Sequence, residues 1–210
     1  MGNKQCCIGI AGATRSGKST LAKNIIKYLK WNEKNIIHID DFFSPELLFK
    51  YNNNWEIPEV IEWKYFIEDL ENPKYKINYK MKKYNVTEGF LLFRQPLVYD
   101  FNKSIFIWVS KEVAKKSRME TKPVTEEYYE TLVWSNYLKN NHHLAKMKKN
   151  KEKKLGGDIL VLDSTKETPE EMLDKSIKFI FNKKDIKRDL QKEQELLDEI
   201  EKQYNELSQK

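Results

Sequence analysis

Gly12-Ala-Thr-Arg-Ser-Gly-Lys-Ser19 matches G-x-x-x-x-G-K-[ST], a spacing that serves phosphate chemistry. Its glycines let the backbone turn tightly and aim N–H groups inward as an anion nest. A helix starting at the loop adds its positive dipole end. Lys18 then bridges the β- and γ-phosphates of a nucleoside triphosphate, and the Ser19 hydroxyl holds Mg²⁺. The candidate ATP-binding residues here are Gly12, Ala13, Thr14, Arg15, Ser16, Gly17, Lys18, Ser19 and Thr20. Lys18 is also a catalytic candidate.

A second chemical signal lies downstream, where Ile36-Ile-His-Ile ends in Asp40 and Asp41. Carboxylates at the C-terminal end of a strand in a parallel sheet face the crevice where ligands bind. Phosphoryl transfer to an alcohol needs a base near the attacking hydroxyl and ligands for the metal. Asp40 suits both roles, the second through water. His38 alternates with Ile37 and Ile39, as a packed core histidine would. His142 and His143 sit in an Asn/Lys-rich stretch and read as surface residues.

A phosphate loop alone admits a small-molecule kinase, a GTPase switch or an ATPase motor. Asn182-Lys-Lys-Asp185 matches the guanine-reading N-K-x-D pattern, yet no Asp in the chain has Gly three residues later, so the D-x-x-G switch is absent. A motor would want a larger chain with sensor and arginine-finger elements. The kinase reading remains.

These residues need elements to position them. Cys6–Ile10, Asn35–Ile39, Tyr84–Thr87, Ile105–Val109 and Asp158–Leu162 read as five strands. Between them lie helical patterns: one after the phosphate loop with Leu21, Ile25, Tyr28 and Leu29 on a face, one over Pro58–Leu70, and a long one from Lys111 to Met147. Strands alternating with helices imply an α/β fold, a parallel sheet covered on both faces. Thr168-Pro-Glu-Glu171 is a capping box that opens a further helix. Beyond Ile186 the chain turns Lys/Glu/Gln-rich, with Ile186, Leu190, Leu197, Ile200, Tyr204 and Leu207 in a stripe near a 3.5 period. The stripe is too short to argue a coiled coil, and a charged terminal helix, laid against the domain or frayed, is the expectation, with a dimerising helix as the alternative. The division is a domain over 1–186 and a helical extension over 187–210. Lys148–Lys154 is a basic loop without interleaved aromatics and reads as solvated surface.

Composition bounds the rest. The 210 residues suffice for one domain with a sizeable core. Lys and Arg number 38 against 32 Asp and Glu, a net +6 that suits anionic ligands without arguing for nucleic acid. The two cysteines are adjacent and form no disulfide framework, which points to a reducing, cytoplasmic setting. The apolar runs at 90–93 and 105–109 are too short to span a bilayer.

Five blocks together resemble the nicotinamide riboside kinases, relatives of uridine kinase among P-loop metabolite kinases. They are Ala11-Gly-Ala-Thr-Arg-Ser-Gly-Lys-Ser-Thr-Leu-Ala-Lys-Asn24, Asp40-Asp-Phe-Phe-Ser-Pro-Glu46, Glu88-Gly-Phe-Leu-Leu-Phe93, Val133-Trp134 with Tyr137-Leu138, and Leu162-Asp-Ser-Thr-Lys166. The resemblance covers residues 6 to 182. It implies a three-layer P-loop kinase fold around a five-stranded parallel sheet. It also implies ATP- and Mg²⁺-dependent phosphorylation of the 5′-hydroxyl of nicotinamide riboside, with nicotinic acid riboside as a further acceptor, in NAD salvage. Small-molecule substrates are the partners implied, with neither nucleic acid nor membrane, in a monomer or weak homodimer joined by the C-terminal helix. By the same resemblance Asp40 accepts the proton, Asp41 belongs to the substrate site, and Phe43 stacks on the pyridinium. Trp55 and Glu56 hold the riboside, Glu88 supports the site near the metal, Arg118 reaches in from the lid, and Lys166 to Thr168 touch the adenine. Ser117 stands where the family has an ATP-contacting arginine, with Lys116 or Arg118 as substitutes. Glu56 replaces the usual Asp, and Tyr128 or Tyr129 would cover the second face of the ring. A uridine/cytidine-type kinase is the nearest alternative. A catalytically impaired nucleotide-binding module acting through its C-terminal helix is the alternative from another class.

Overall fold

Alternation of apolar residues builds the centre of the molecule. In β1 (Gln5–Gly12), Ile8 and Ile10 face one side of the sheet and Cys7 and Ala11 the other. A strand apolar on both faces has to be covered on both faces. The computed structural model describes residues 5–71, 77–79, 82–94, 101–150 and 159–209. The side chain of Cys6, most of the basic loop and Asp158 lie outside the described residues.

Five strands run parallel in the order β2 (Ile36–His38), β4 (Lys82–Glu88), β1, β5 (Lys103–Trp108), β6 (Ile159–Asp163). The expected five-stranded parallel sheet is therefore present. A short β3 (Ile77–Tyr79) adds an antiparallel partner to β4, which the sequence reading did not anticipate. All five parallel strands end at one rim.

One face of the sheet is covered by α1 (Lys18–Tyr28), through Leu21, Ala22, Ile25 and Ile26, and by α8 (Pro169–Ile180). The capping box holds: the Thr168 hydroxyl accepts from Glu171 N while the Glu171 carboxylate accepts from Thr168 N. Asn182 leaves the helix in the left-handed region, φ 51°. It thus caps a helix and ends no strand.

The other face is covered mainly by helices later in the chain. α2 (Pro45–Lys50) is capped by Ser44. The helix expected over Pro58–Leu70 is split into a 3₁₀ turn at Pro58–Val60 and α3 (Trp63–Glu71). Ile61 instead bridges Phe43, with Glu62 N donating to Phe42 O and Ser44 N to Val60 O. Those bonds use the backbone groups that a continuous helix would need.

The long helix expected from Lys111 to Met147 is likewise divided. α4 (Lys111–Thr121) stops before Lys122-Pro123, because the residue ahead of a proline is pushed out of helical geometry. Thr125 caps a restart at α5 (Glu126–Tyr128), followed by a π-helical turn over Tyr129–Trp134. Then come α6 (Ser135–Asn141) and α7 (His143–Lys149). The wide turn buries Tyr129 and stacks it on Trp134 at 6.3 Å.

The two histidines read as surface residues are engaged. His142 stacks on Tyr204 at 3.8 Å, and His143 Nε2 donates to Phe93 O at 2.8 Å. Tyr204 belongs to α9 (Leu190–Leu207), whose stripe divides: Leu197 and Ile200 enter the core, while Leu190 and Leu207 stay exposed. α9 also finishes the sheet. The buried Glu193 carboxylate accepts from Val161 N, Lys148 and Arg188, and Ile159 O accepts from Lys148 and Arg188. Side chains thus occupy polar backbone groups on the outer edge of β6.

Candidate active site

The phosphate loop joins β1 to α1 at the rim where the parallel strands end. Gly12 has φ 152° and lies so close to β5 that a Cβ there would meet Ile107 O at 2.3 Å; Gly17 has φ 94°. No other residue fits both positions without strain. Ser16 N closes the loop onto Ala13 O. Lys18 is buried and folds back on Ala13 O at 2.7 Å. Burial lowers its pKa, while the charges of Glu88, Asp40 and Glu56 act to raise it.

Three carboxylates therefore share one cleft with Lys18. Glu88 ends β4, and its Oε1 accepts from Ser19 Oγ at 2.9 Å and meets His38 Nδ1 at 2.7 Å. Burial alone would push the Glu88 carboxyl up. The hydrogen bonds from His38 and Ser19 and the Lys18 charge outweigh it and hold Glu88 below the usual range. His38 is only half-buried, and its bond to Glu88 raises its pKa. The expectation of a packed core histidine is corrected: its ring serves the site's carboxylate.

Asp40 lies in the 3₁₀ turn Ile39–Phe42 that follows β2. Gly89 makes room for that turn, since a Cβ there would meet Ile39 at 2.2 Å. The Asp40 carboxyl is raised above its ordinary value, first by burial in the cleft and then by Glu88, although Lys18 pulls against both. A raised carboxylate is a better proton acceptor at neutral pH.

The remaining wall of the cleft is aromatic and charged. Phe43 meets Trp55 edge-on at 4.9 Å and lies parallel to Phe90 at 6.4 Å. Glu56, next to Trp55, is buried and pairs with Arg118 of α4 at 3.5 Å. Burial raises the Glu56 carboxyl, with Arg118 opposing. Arg118 Nε is buried without a hydrogen-bond partner. The cleft holds about 510 Å³ and is lined by Thr14, Arg15, Gly17, Lys18, Ser19, Thr20, Asp40, Phe43, Trp55, Glu56, Glu88, Phe90, Arg118 and Lys122.

The structure thus brings together most of the residues expected for the site. Gly12, Ala13 and Ser16 sit behind the cleft as the buried body of the loop. Asp41 is exposed on the turn and does not line the cleft. Lys166 and Thr168 lie beyond the end of β6 and do not line it either; the Thr168 hydroxyl is used as a helix cap. Tyr129 is buried and Tyr128 is half-buried; neither lines the cleft, although Glu56 and Arg118 lie near enough to act on both. Lys116 is exposed outside it, whereas Arg118 of α4 lines it. Phe90 and Lys122 were not anticipated. Phe90 lies within the Glu88–Phe93 segment, whereas Lys122 carries no sequence signal beyond the proline after it.

The oxygen donors suit magnesium. Among the described residues no three or more His, Cys, Asp or Glu side chains form a metal cage. Magnesium needs none, because it binds through one or two protein oxygens together with phosphates and water. The Ser19 hydroxyl gives its hydrogen to Glu88 and keeps lone pairs free for a metal, with Asp40 on the same cleft.

No family model matches the chain. Curated relatives do. Nicotinamide riboside kinase 1 of Homo sapiens is 28% identical over 181 residues, covering 78% of this chain and 86% of that protein. Nicotinamide riboside kinase 1 of Rattus norvegicus is 30% identical over 181 residues, covering 78% and 88%. Nicotinamide riboside kinase 2 of Mus musculus is 24% identical over 197 residues, covering 84% and 95%. Two solved structures share the fold. A gluconokinase from Sinorhizobium meliloti 1021 has a TM-score of 0.54 at 14% identity, over 84% of this chain and 92% of its own. A sugar kinase from Janibacter sp. HTCC2649 has a TM-score of 0.51 at 13% identity, over 89% and 100%. Among the described residues no helix is long and apolar enough to cross a membrane.

Proposed function

The chain belongs to the nicotinamide riboside kinase family, and from that premise we propose that it moves the γ-phosphoryl group of ATP onto the 5′-hydroxyl of nicotinamide riboside. The product is the mononucleotide from which NAD is rebuilt in the cytoplasm. Nicotinic acid riboside is a second acceptor. One observation carries this reading: a single cleft joins a phosphate loop to an aromatic–acidic wall, with Lys18, Asp40 and Glu56 all lining it.

The loop N–H groups and Lys18 hold the triphosphate. Phe43 and Trp55 take the cationic ring by their faces. Glu56 accepts hydrogen bonds from the ribose hydroxyls, and Arg118 keeps that carboxylate in place. Asp40 orients the 5′-hydroxyl and receives its proton as the oxygen attacks the γ-phosphorus. The bond from that phosphorus to the β–γ bridging oxygen breaks, and ADP leaves. Mg²⁺, when bound with the nucleotide, offsets phosphate charge, and Ser19 with Asp40 through water would hold it. Lys18, released from Ala13 O, offsets the charge on the transferring phosphoryl group.

In this reading residues 1–186 are the kinase domain and 187–210 its helical extension. The burial of Leu197 and Ile200 within the chain favours a monomer over a dimer through α9.

ADP release is measured with nicotinamide riboside, nicotinic acid riboside, uridine, cytidine or no acceptor. Stimulation by the pyridine ribosides, with the mononucleotide found by mass, is expected. Stimulation by uridine or cytidine alone would move the substrate to the wider family. Nucleotide binding without any stimulated release would leave a binding module.

A further inference from the structure

We propose that Lys122 reads the base of the acceptor and favours a riboside whose aromatic ring carries an anionic substituent, so that nicotinic acid riboside is preferred over its amide. The inference rests on the riboside kinase reading.

The Lys122 ammonium lies over the Trp55 ring, 5.3 Å from its centroid. Trp55 is 41% exposed, and both side chains line the cleft that holds Lys18 and Asp40. The face offered to a cationic ring therefore already holds a cation. The placement is built into the backbone. Lys122 terminates α4, its N–H donates to Arg118 O at 2.9 Å, and it turns out of the helix ahead of Pro123. One helical turn earlier, Arg118 pairs with Glu56, the neighbour of Trp55. Two cations four residues apart thus engage two adjacent residues of the acceptor wall.

The two pyridine ribosides meet this arrangement differently. The amide brings a net positive ring to a face that Lys122 occupies, so one cation has to leave or both have to share the face. The acid brings the same ring with a carboxylate that the displaced ammonium can pair with. Lysine has three rotatable donors on a flexible stem. It can swing from the Trp55 ring to a ring substituent while α4 stays in place.

The test compares kcat and KM for nicotinic acid riboside, nicotinamide riboside and the methyl ester of the acid, whose ring is cationic and whose substituent is neutral. Wild type should favour the acid over both others by about tenfold in kcat/KM. Lys122→Met should remove that advantage through KM, and Lys122→Arg should keep it. An unchanged preference in Lys122→Met, or an equal change for all three acceptors, overturns the inference and leaves the riboside reading standing. If wild type phosphorylates none of the three but does phosphorylate another nucleoside, the riboside reading falls and the inference with it.

Discussion

The Ser19 hydroxyl donates to Glu88 Oε1 at 2.9 Å, tying the first turn of α1 to the end of β4 across 69 positions of chain. The same oxygen meets His38 at 2.7 Å. Glu88 thereby fixes which way the Ser19 lone pairs face, and a metal held by Ser19 depends on a carboxylate that need not touch it. Supporting partners of this kind commonly carry one to two orders of magnitude in metal affinity or activity. In Glu88→Ala the Mg²⁺ concentration for half-maximal ADP formation should rise about 10- to 100-fold. A metal titration checks this, and an unshifted midpoint removes Glu88 from the site.

Asp40 has the environment of a proton acceptor. Asp40→Asn should lower kcat by about 10² to 10⁴ while the protein still binds a non-hydrolysable ATP analogue and unfolds at its usual temperature. Turnover at the wild-type rate would show that the 5′-hydroxyl loses its proton elsewhere.

Glu56 pairs with Arg118 of α4 in the cleft. Glu56→Gln keeps the side-chain shape and removes the charge. The riboside KM should rise about tenfold or more, as when a charged hydrogen-bond acceptor is lost, with a smaller effect on kcat. Initial rates over a riboside series decide it; an unchanged KM puts the ribose elsewhere.

His143 sets a pH limit on stability. Burial lowers its pKa from 6.5 to about 4, against the opposing bond to Phe93 O. The folded chain therefore refuses a proton that the unfolded chain takes up between those values. Stability from this group is complete above pH 6.5 and is lost as the pH falls toward 4, by up to about 3 kcal/mol. Denaturant midpoints at pH 7 and 4.5 should converge in His143→Gln. A variant with the wild-type slope would assign the acid sensitivity to another group.

Glu193 joins α9 to the sheet. Removing it strands Lys148 and Arg188 beside a backbone edge, and breaking such a buried pair costs about 3–5 kcal/mol. Glu193→Ala should lower the thermal midpoint by several degrees with little change in riboside KM. A midpoint within one degree of wild type would make α9 an appendage.

The parallel strands and the phosphate loop were legible because the signal of each is local, even though strands such as β1 and β4 pair across 78 positions. Strand periodicity, two glycines with special φ and one lysine announce them. Asp40 was legible through its position at a strand end. The split of Pro58–Leu70 was not, because apolar spacing fits a helix whereas the bridge from Ile61 to Phe43 is a tertiary choice. The same holds for His38 and His143. Their partners, Glu88 and Phe93, each lie 50 residues away in sequence. Lys122 was hidden for a related reason: its contact with Trp55 spans the cleft and follows no period.

The covering of β6 has a consequence for the chain while it is being made. Val161 precedes the Glu193 that occupies its N–H by 32 residues. At about 5–20 residues per second, the strand leaves the ribosome some seconds before its cover follows it out. For that interval the nascent sheet has a bare polar edge able to pair with a neighbouring copy on the same message. Slowed translation between these positions should therefore lower the soluble yield without altering the finished protein.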